Sequence, residues 1–118
     1  MRHNNKKATL NRPADQRRAM MRNLLTSLFT EGSIKTTDAR GKALAEATDE
    51  LVTRVRKQKE VYNKVRAVKQ ILFTDASQKR ALAFIDSTKK TSGFTRRAKV
   101  GHRAGDNALM VQIELVTE

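Results

Sequence analysis

Leu109-Met110-Val111-Gln112-Ile113-Glu114-Leu115 puts Leu109, Val111, Ile113 and Leu115 on one face of an extended chain and Met110, Gln112 and Glu114 on the other. A period of two marks a β-strand with one side against a core. Just upstream, Phe94, Arg96, Ala98 and Val100 would share one strand face, with Thr95, Arg97 and Lys99 on the other. Residues Gly101 to Asn107 join the two runs as a glycine-containing loop, so 94–116 reads as an antiparallel pair. Phe94 is assigned to the core, because aromatics make up only 4% of the chain. Asp106 beside Asn107 is read as fixing the turn before the last strand.

Further back the period becomes helical. Pro13 suits a first turn, and Asp15 behind it favours the positive end of a helix. Met21, Leu25 and Phe29, with Met20, Leu24 and Leu28 alongside, predict one wide apolar face ending at Gly32, a natural left-handed cap. Ser33 to Thr36 reads as a small strand. Thr37 or Asp38 then caps a second helix carrying Ala43, Leu44, Ala47, Leu51, Val52 and Val55, in which Gly41 costs roughly 1 kcal/mol relative to alanine. Residues 56–60 make a polar junction, Val61, Val65, Val68 and Leu72 form a third helical stripe, and Thr74 or Asp75 starts a fourth helix with Ala81, Leu82, Phe84 and Ile85. The order is helix, strand, three helices, two strands. It predicts a two-layer α+β domain over 12–118, with helices packed on a small mixed sheet. Residues 1–11 lack either periodicity and read as a basic arm.

Composition narrows the function. The chain has 118 residues, 25 Lys and Arg against 12 Asp and Glu, and a net charge of +13. Hydrophobic residues are 38%, below the usual ~45–50%, and the mean hydropathy is -0.64, so the core is small and a polyanionic partner is indicated. Residues 1–22 hold seven cations (Arg2, Lys6, Lys7, Arg12, Arg17, Arg18, Arg22) and one acid, Asp15. Residues 93–105 hold Arg96, Arg97, Lys99 and Arg103 with no acid, whereas six of the twelve acids fall between 31 and 60. The basic ends read as the contact surface and the middle as solvated. Arg17, Arg18 and Arg22 are expected to project away from the Met21, Leu25, Phe29 stripe. Guanidinium groups there would grip phosphates as planar forks that stay charged at neutral pH.

Catalysis finds little to work with. Cysteine is absent and His3 and His102 are the only histidines available for acid–base work, so no thiol chemistry, metal site or cofactor is expected. No glycine-rich phosphate loop occurs, and no apolar run reaches signal-peptide or membrane-spanning length, which leads to the expectation of a soluble cytosolic protein. A nucleoid-type DNA-binding protein and a small ribonuclease using His102 are the alternative readings. The first would bend duplex DNA with apolar wedges or paired arms, and no wedge is visible.

Several blocks resemble one family. Met1-Arg2-His3, Leu10-Asn11-Arg12, Arg17, Ala19-Met20, Arg22-Asn23-Leu24 and Ile34-Lys35-Thr36-Thr37 come first. Gly93-Phe94-Thr95-Arg96, Arg103-Ala104-Gly105-Asp106-Asn107-Ala108 and Ile113-Glu114-Leu115-Val116 follow near the C-terminus. In this order they look like bacterial large-subunit ribosomal protein seventeen. The resemblance implies a structural, non-enzymatic rRNA-binding protein of the cytoplasmic large ribosomal subunit, on its solvent side near the exit of the nascent-peptide tunnel. Its partners would be large-subunit rRNA and neighbouring ribosomal proteins, with no membrane and no small-molecule substrate. By position Arg2, His3, Arg12, Arg17 and Arg22 at one end, and Arg96, Lys99 and Arg103 at the other, inherit the rRNA contacts. Lys6, Lys7, Arg18, Lys35, Arg97 and His102 complete the candidate set. Asn4 and Asn5 depart from the family's usual Arg-Lys, and Gln16 and Leu109 from its usual His and Pro.

Overall fold

In a computed structural model, which describes residues 3, 4, 6 and 8–116, the elements follow the predicted order. They are α1 (Ala14–Glu31), β1 (Ser33–Thr37), α2 (Asp38–Arg56), α3 (Val61–Lys69), α4 (Asp75–Ser87), β2 (Thr95–His102) and β3 (Leu109–Leu115). Arg2 and Lys7, named above as candidate contacts, lie outside the described residues.

Local chemistry sets the boundaries. Pro13 sits one residue before α1, extended at ψ 156°, and its carbonyl accepts the Arg17 N–H at 2.9 Å. The ring thus occupies a position where an N–H would have no helical acceptor. At the other end Gly32 adopts φ 83° and its N–H closes on the Leu28 carbonyl at 2.8 Å, a left-handed turn that stops the helix and starts β1. Thr74 caps α4, its hydroxyl accepting the Ser77 N–H at 3.3 Å. Thr37 occupies the cap position of α2 but makes no side-chain capping bond.

The sheet order is β1-β3-β2 and both pairings are antiparallel. A mixed sheet was expected. The hairpin fixes β2 against β3, and β1 takes the opposite edge of β3, so the two strands that run in the same direction never meet. On β3, Val111 and Ile113 are buried as the alternation requires. The register brings β1 residues Ile34 and Thr36 opposite Ile113 and Val111.

β2 departs from the predicted faces. Thr95, Arg97 and Lys99 pair with Leu115, Ile113 and Val111, so they share the helix-covered side, whereas Arg96 and Ala98 pair with Glu114 and Gln112 on the open side. Phe94 is 1% exposed, yet it lies before the strand and turns inward on its own; Ala98 and Val100 are exposed. The strand extends through His102, and a bulge between Lys99 and Gly101 shifts the register.

α1 and α2 pack on the sheet, and α3 and α4 pack on α1 and α2 away from it. One apolar cluster runs through all of these layers, from Leu25, Leu28 and Phe29 through Leu44, Leu51, Val52 and Val55 to Val68, Phe84, Phe94 and Ile113. Phe84 is its hinge, meeting Phe29 edge-on at 5.9 Å and Phe94 at 6.4 Å, geometry that favours the ring quadrupoles. Arg56 fastens the outside: its guanidinium lies 5.1 Å over the Phe94 ring and donates to the carbonyls of Thr88, at 2.8 Å, and of Lys90. The third stripe is only half right. α3 buries Ala67 and Val68, and Leu72 follows in the next turn, but Val61 is 74% exposed.

Candidate nucleic-acid interface

The outer face of α1 carries a shallow groove of about 460 Å³, lined by Arg12, Gln16, Ala19, Met20, Asn23, Leu24, Ser27 and Arg40. Its spacing is helical: residues 16, 20, 23 and 27 stack on one side of α1. Met20 and Leu24, expected in the core, are only half-buried and form part of its floor. Two guanidinium groups flank amide and hydroxyl side chains, and no carboxylate lines the groove. A surface of this kind offers donors to phosphate and an apolar floor to a sugar or base.

The arginines of α1 do not act alike. Arg18 is exposed, and Arg17 is half-buried with a 3.4 Å contact from its guanidinium to the Arg12 carbonyl. Arg22, expected to point away from the core stripe, points along it. Arg18, Arg22, Leu25 and Phe29 follow the 4-3-4 spacing of one helix row, and where the core ends the Arg22 guanidinium covers it. That group lies 4.1 Å over the Phe73 ring and donates from Nε to the Ile71 carbonyl at 3.0 Å. Arg22 therefore ties α1 to the segment between α3 and α4, on the opposite side of the helix from the groove.

The strand cations divide between two surfaces. Arg97 and Lys99 share the helix-covered side of the sheet, and Arg97 is 3.8 Å from Asp38 at the start of α2. Arg96 pairs with Glu114 across the strands and shares the open face with Lys35, which stands opposite Gln112. Arg103 and Asp106 form a two-pronged pair at 3.0 and 2.7 Å, and Asp106 also accepts the Ala108 N–H at 3.2 Å. The Arg103 guanidinium, with help from that N–H, holds the Asp106 carboxyl down at about 2 and has its own affinity for the proton raised in return. Asp106 is thus the turn-fixing residue expected from the sequence, and Arg103 meets the solvent already paired. His102 Nδ1 lies 3.1 Å from the Asn107 carbonyl.

Arg12, Arg17, Arg18, Lys35 and Lys99 make no ion pair among the described residues. His3 and Lys6 are exposed. The first turn of α2 joins the two ends. Arg40 reaches into the α1 groove, while Asp38 touches Arg97 and the Arg97 stem runs past Gly41. Sequence reasoning missed Arg40 because it sits in the acid-rich middle of the chain. Its spacing after the Thr37 cap, which places it in the first helical turn, was the available signal. Among the described residues no group of three or more His, Asp or Glu is placed to hold a metal ion, and no helix is long and apolar enough to cross a membrane.

These features define a small basic α+β protein whose surface carries guanidinium groups on α1, the start of α2 and the β2–β3 hairpin. The family model described as Ribosomal protein L17 matches residues 20–116, and the chain belongs to that family: it is a structural ribosomal protein, not an enzyme. It is 38% identical over 125 residues to large ribosomal subunit protein bL17 of Desulforapulum autotrophicum, covering 100% of this chain and 98% of the relative. It is 40% identical over 119 residues to the bL17 of Syntrophotalea carbinolica, covering 100% of this chain and 76% of that one. The bL17 of Gemmatimonas aurantiaca is 37% identical over 118 residues, with 98% of each chain covered.

Proposed function

We propose that this chain is a structural constituent of the large ribosomal subunit, and so of the cytoplasm, that holds rRNA on two cationic surfaces joined at the start of α2. One surface is the arm at 1–11 with α1, where Arg12 and Arg40 act in the groove and Arg17 and Arg18 act on the helix beyond it. The other is β2 and its hairpin, where Arg96 acts with Lys35 on the open sheet face, Arg97 and Lys99 on the opposite side of the strand, and His102 and Arg103 at the turn. The observation that carries the reading is the acid-free groove, in which Arg12 approaches from just before α1 and Arg40 from α2. Fixed guanidinium groups neutralise phosphate repulsion, so that RNA segments pack closely while counterions are released. Family likeness supports a position on the solvent side of the subunit near the peptide-tunnel exit, with neighbouring ribosomal proteins as further partners.

The test is binding of the purified chain to protein-free large-subunit rRNA across a salt series. Exchanging Arg12, Arg18 and Arg40 for Gln should weaken binding and flatten the salt dependence by roughly one slope unit per cation that contacts phosphate. Unchanged affinity and slope in that triple variant would remove both the groove and the exposed Arg18 from the interface. Sedimentation of a native lysate gives the cellular check: the chain should travel with the large subunit at moderate and at high salt.

A further inference from the structure

The outward face of α3 has no part in the surfaces described so far. Tyr62 is 72% exposed and Val61 74%, although the opposite face of this helix is buried through Ala67 and Val68. The ring of Tyr62 is thus turned away from a core short of aromatics, and Arg66 reaches to 6.0 Å from its centroid. Tyr62, Val65, Arg66, Lys69 and Gln70 line a groove of about 330 Å³ along this face. Residues 54–69 carry seven cations and one acid, Glu60, the same counts as in residues 1–22 over a shorter stretch. α3 itself contains Lys64, Arg66 and Lys69 and no acid.

We infer that the α3 face binds a single-stranded stretch of rRNA, with an unpaired base stacked on Tyr62 and the adjoining phosphates on Arg66 and Lys69. An exposed aromatic ring beside guanidinium and ammonium groups is the arrangement by which proteins hold unpaired bases. A duplex keeps its bases stacked inside and presents no face to the ring. Charge selects the partner: α3 offers an acidic surface its cations and offers a basic one nothing. The segment just beyond α3 adjoins α1, where Arg22 holds the Ile71 carbonyl and the Phe73 ring. This inference rests on the reading that rRNA is the partner of the chain and extends it to a surface that reading did not include.

The test uses a property of the sequence. Tyr62 is the one tyrosine of the chain and there is no tryptophan, so ultraviolet emission of the full-length protein reports on this site alone. The probe is a single-stranded oligouridine of about ten nucleotides, within the span that one such surface covers, with binding followed separately by anisotropy of a 3′ label. Binding should quench Tyr62 emission and shield the ring from acrylamide. Tyr62→Ala, and separately Arg66→Gln with Lys69→Gln, should each weaken binding about fivefold or more while thermal melting stays unchanged. Binding that leaves Tyr62 emission and accessibility untouched would overturn the α3 site and leave the α1 groove standing. Absence of any binding to the oligouridine would overturn the α3 site, whereas the α1 groove stands or falls by the salt series on large-subunit rRNA. Protection of Tyr62 by oligoglutamate but not by the RNA would overturn the inference in favour of an acidic protein partner.

Discussion

Gly41 shows how a single position reverses an intrinsic preference. Alanine is favoured over glycine inside a helix by about 1 kcal/mol, yet a Cβ here would come within 2.7 Å of Val111 Cγ2 and 3.5 Å of Arg97 Cδ. Val111 is buried and β-branched on the central strand, so it has no free rotamer into which to retreat. Gly41→Ala should therefore lower stability by roughly 1–3 kcal/mol, the usual range for overpacking, as read from urea melts. In a Val111→Ala background the same change should be far less harmful. The arginines of α1 sort by the same reasoning. Arg22→Gln should cost about 1–3 kcal/mol, because it breaks the cation–π contact and the charged hydrogen bond to the Ile71 carbonyl. Arg18→Gln should leave the melt within about 0.5 kcal/mol of the parent and weaken rRNA binding instead. Matching melts for the two variants would refute this division of labour.

At the scale of elements, the β2–β3 turn is held by a pair that titrates. The Asp106 carboxyl lies at about 2 against an ordinary 3.8, through Arg103 and the Ala108 N–H. A lowered carboxyl stabilises the folded turn above its ordinary value, and that contribution disappears as pH falls through the folded value. The Ala108 amide resonance should therefore titrate with a midpoint near 2 in the native protein. In Arg103→Gln the midpoint should move up toward the ordinary value; an unmoved midpoint would show that the pair does not hold the turn. This turn was legible from Asp106-Asn107 alone, because its chemistry is local. The same holds for the Gly32 stop, the Thr74 cap and the alternation of β3. Legibility fails where burial depends on a distant partner. The faces of β2 were misassigned because Phe94 reaches the core from outside the strand and because the helical layer leaves Ala98 and Val100 uncovered. Arg22 was misdirected because its acceptor and its ring, Ile71 and Phe73, come from the other end of the helical layer. The α1 groove was half visible: Arg12 stood out by charge, whereas Arg40 joins it only after α2 docks.

For the whole molecule, one modest core has to hold together a chain with a net charge of +13. Only four ion pairs form among the described residues, and two of them share Asp38, so most of the positive charge faces other positive charge. Such self-repulsion is long-ranged and screened by salt, while the apolar cluster is indifferent to it. Raising monovalent salt from ~20 to ~300 mM, which shortens the screening length to well below the size of the molecule, should raise the melting temperature of the free protein by a few degrees. Binding to rRNA should respond with the opposite sign, because each phosphate contact releases counterions into a solution that already holds more of them. The two series together separate a general charge effect from an interface: the triple variant lacking Arg12, Arg18 and Arg40 should melt higher than the parent at low salt and bind rRNA less steeply across the same range. If its melting temperature at low salt does not rise, those three cations are not under repulsion in the free protein. The groove would then have to be balanced by acids elsewhere on the surface, and its claim to be an unsatisfied site for phosphate would fall.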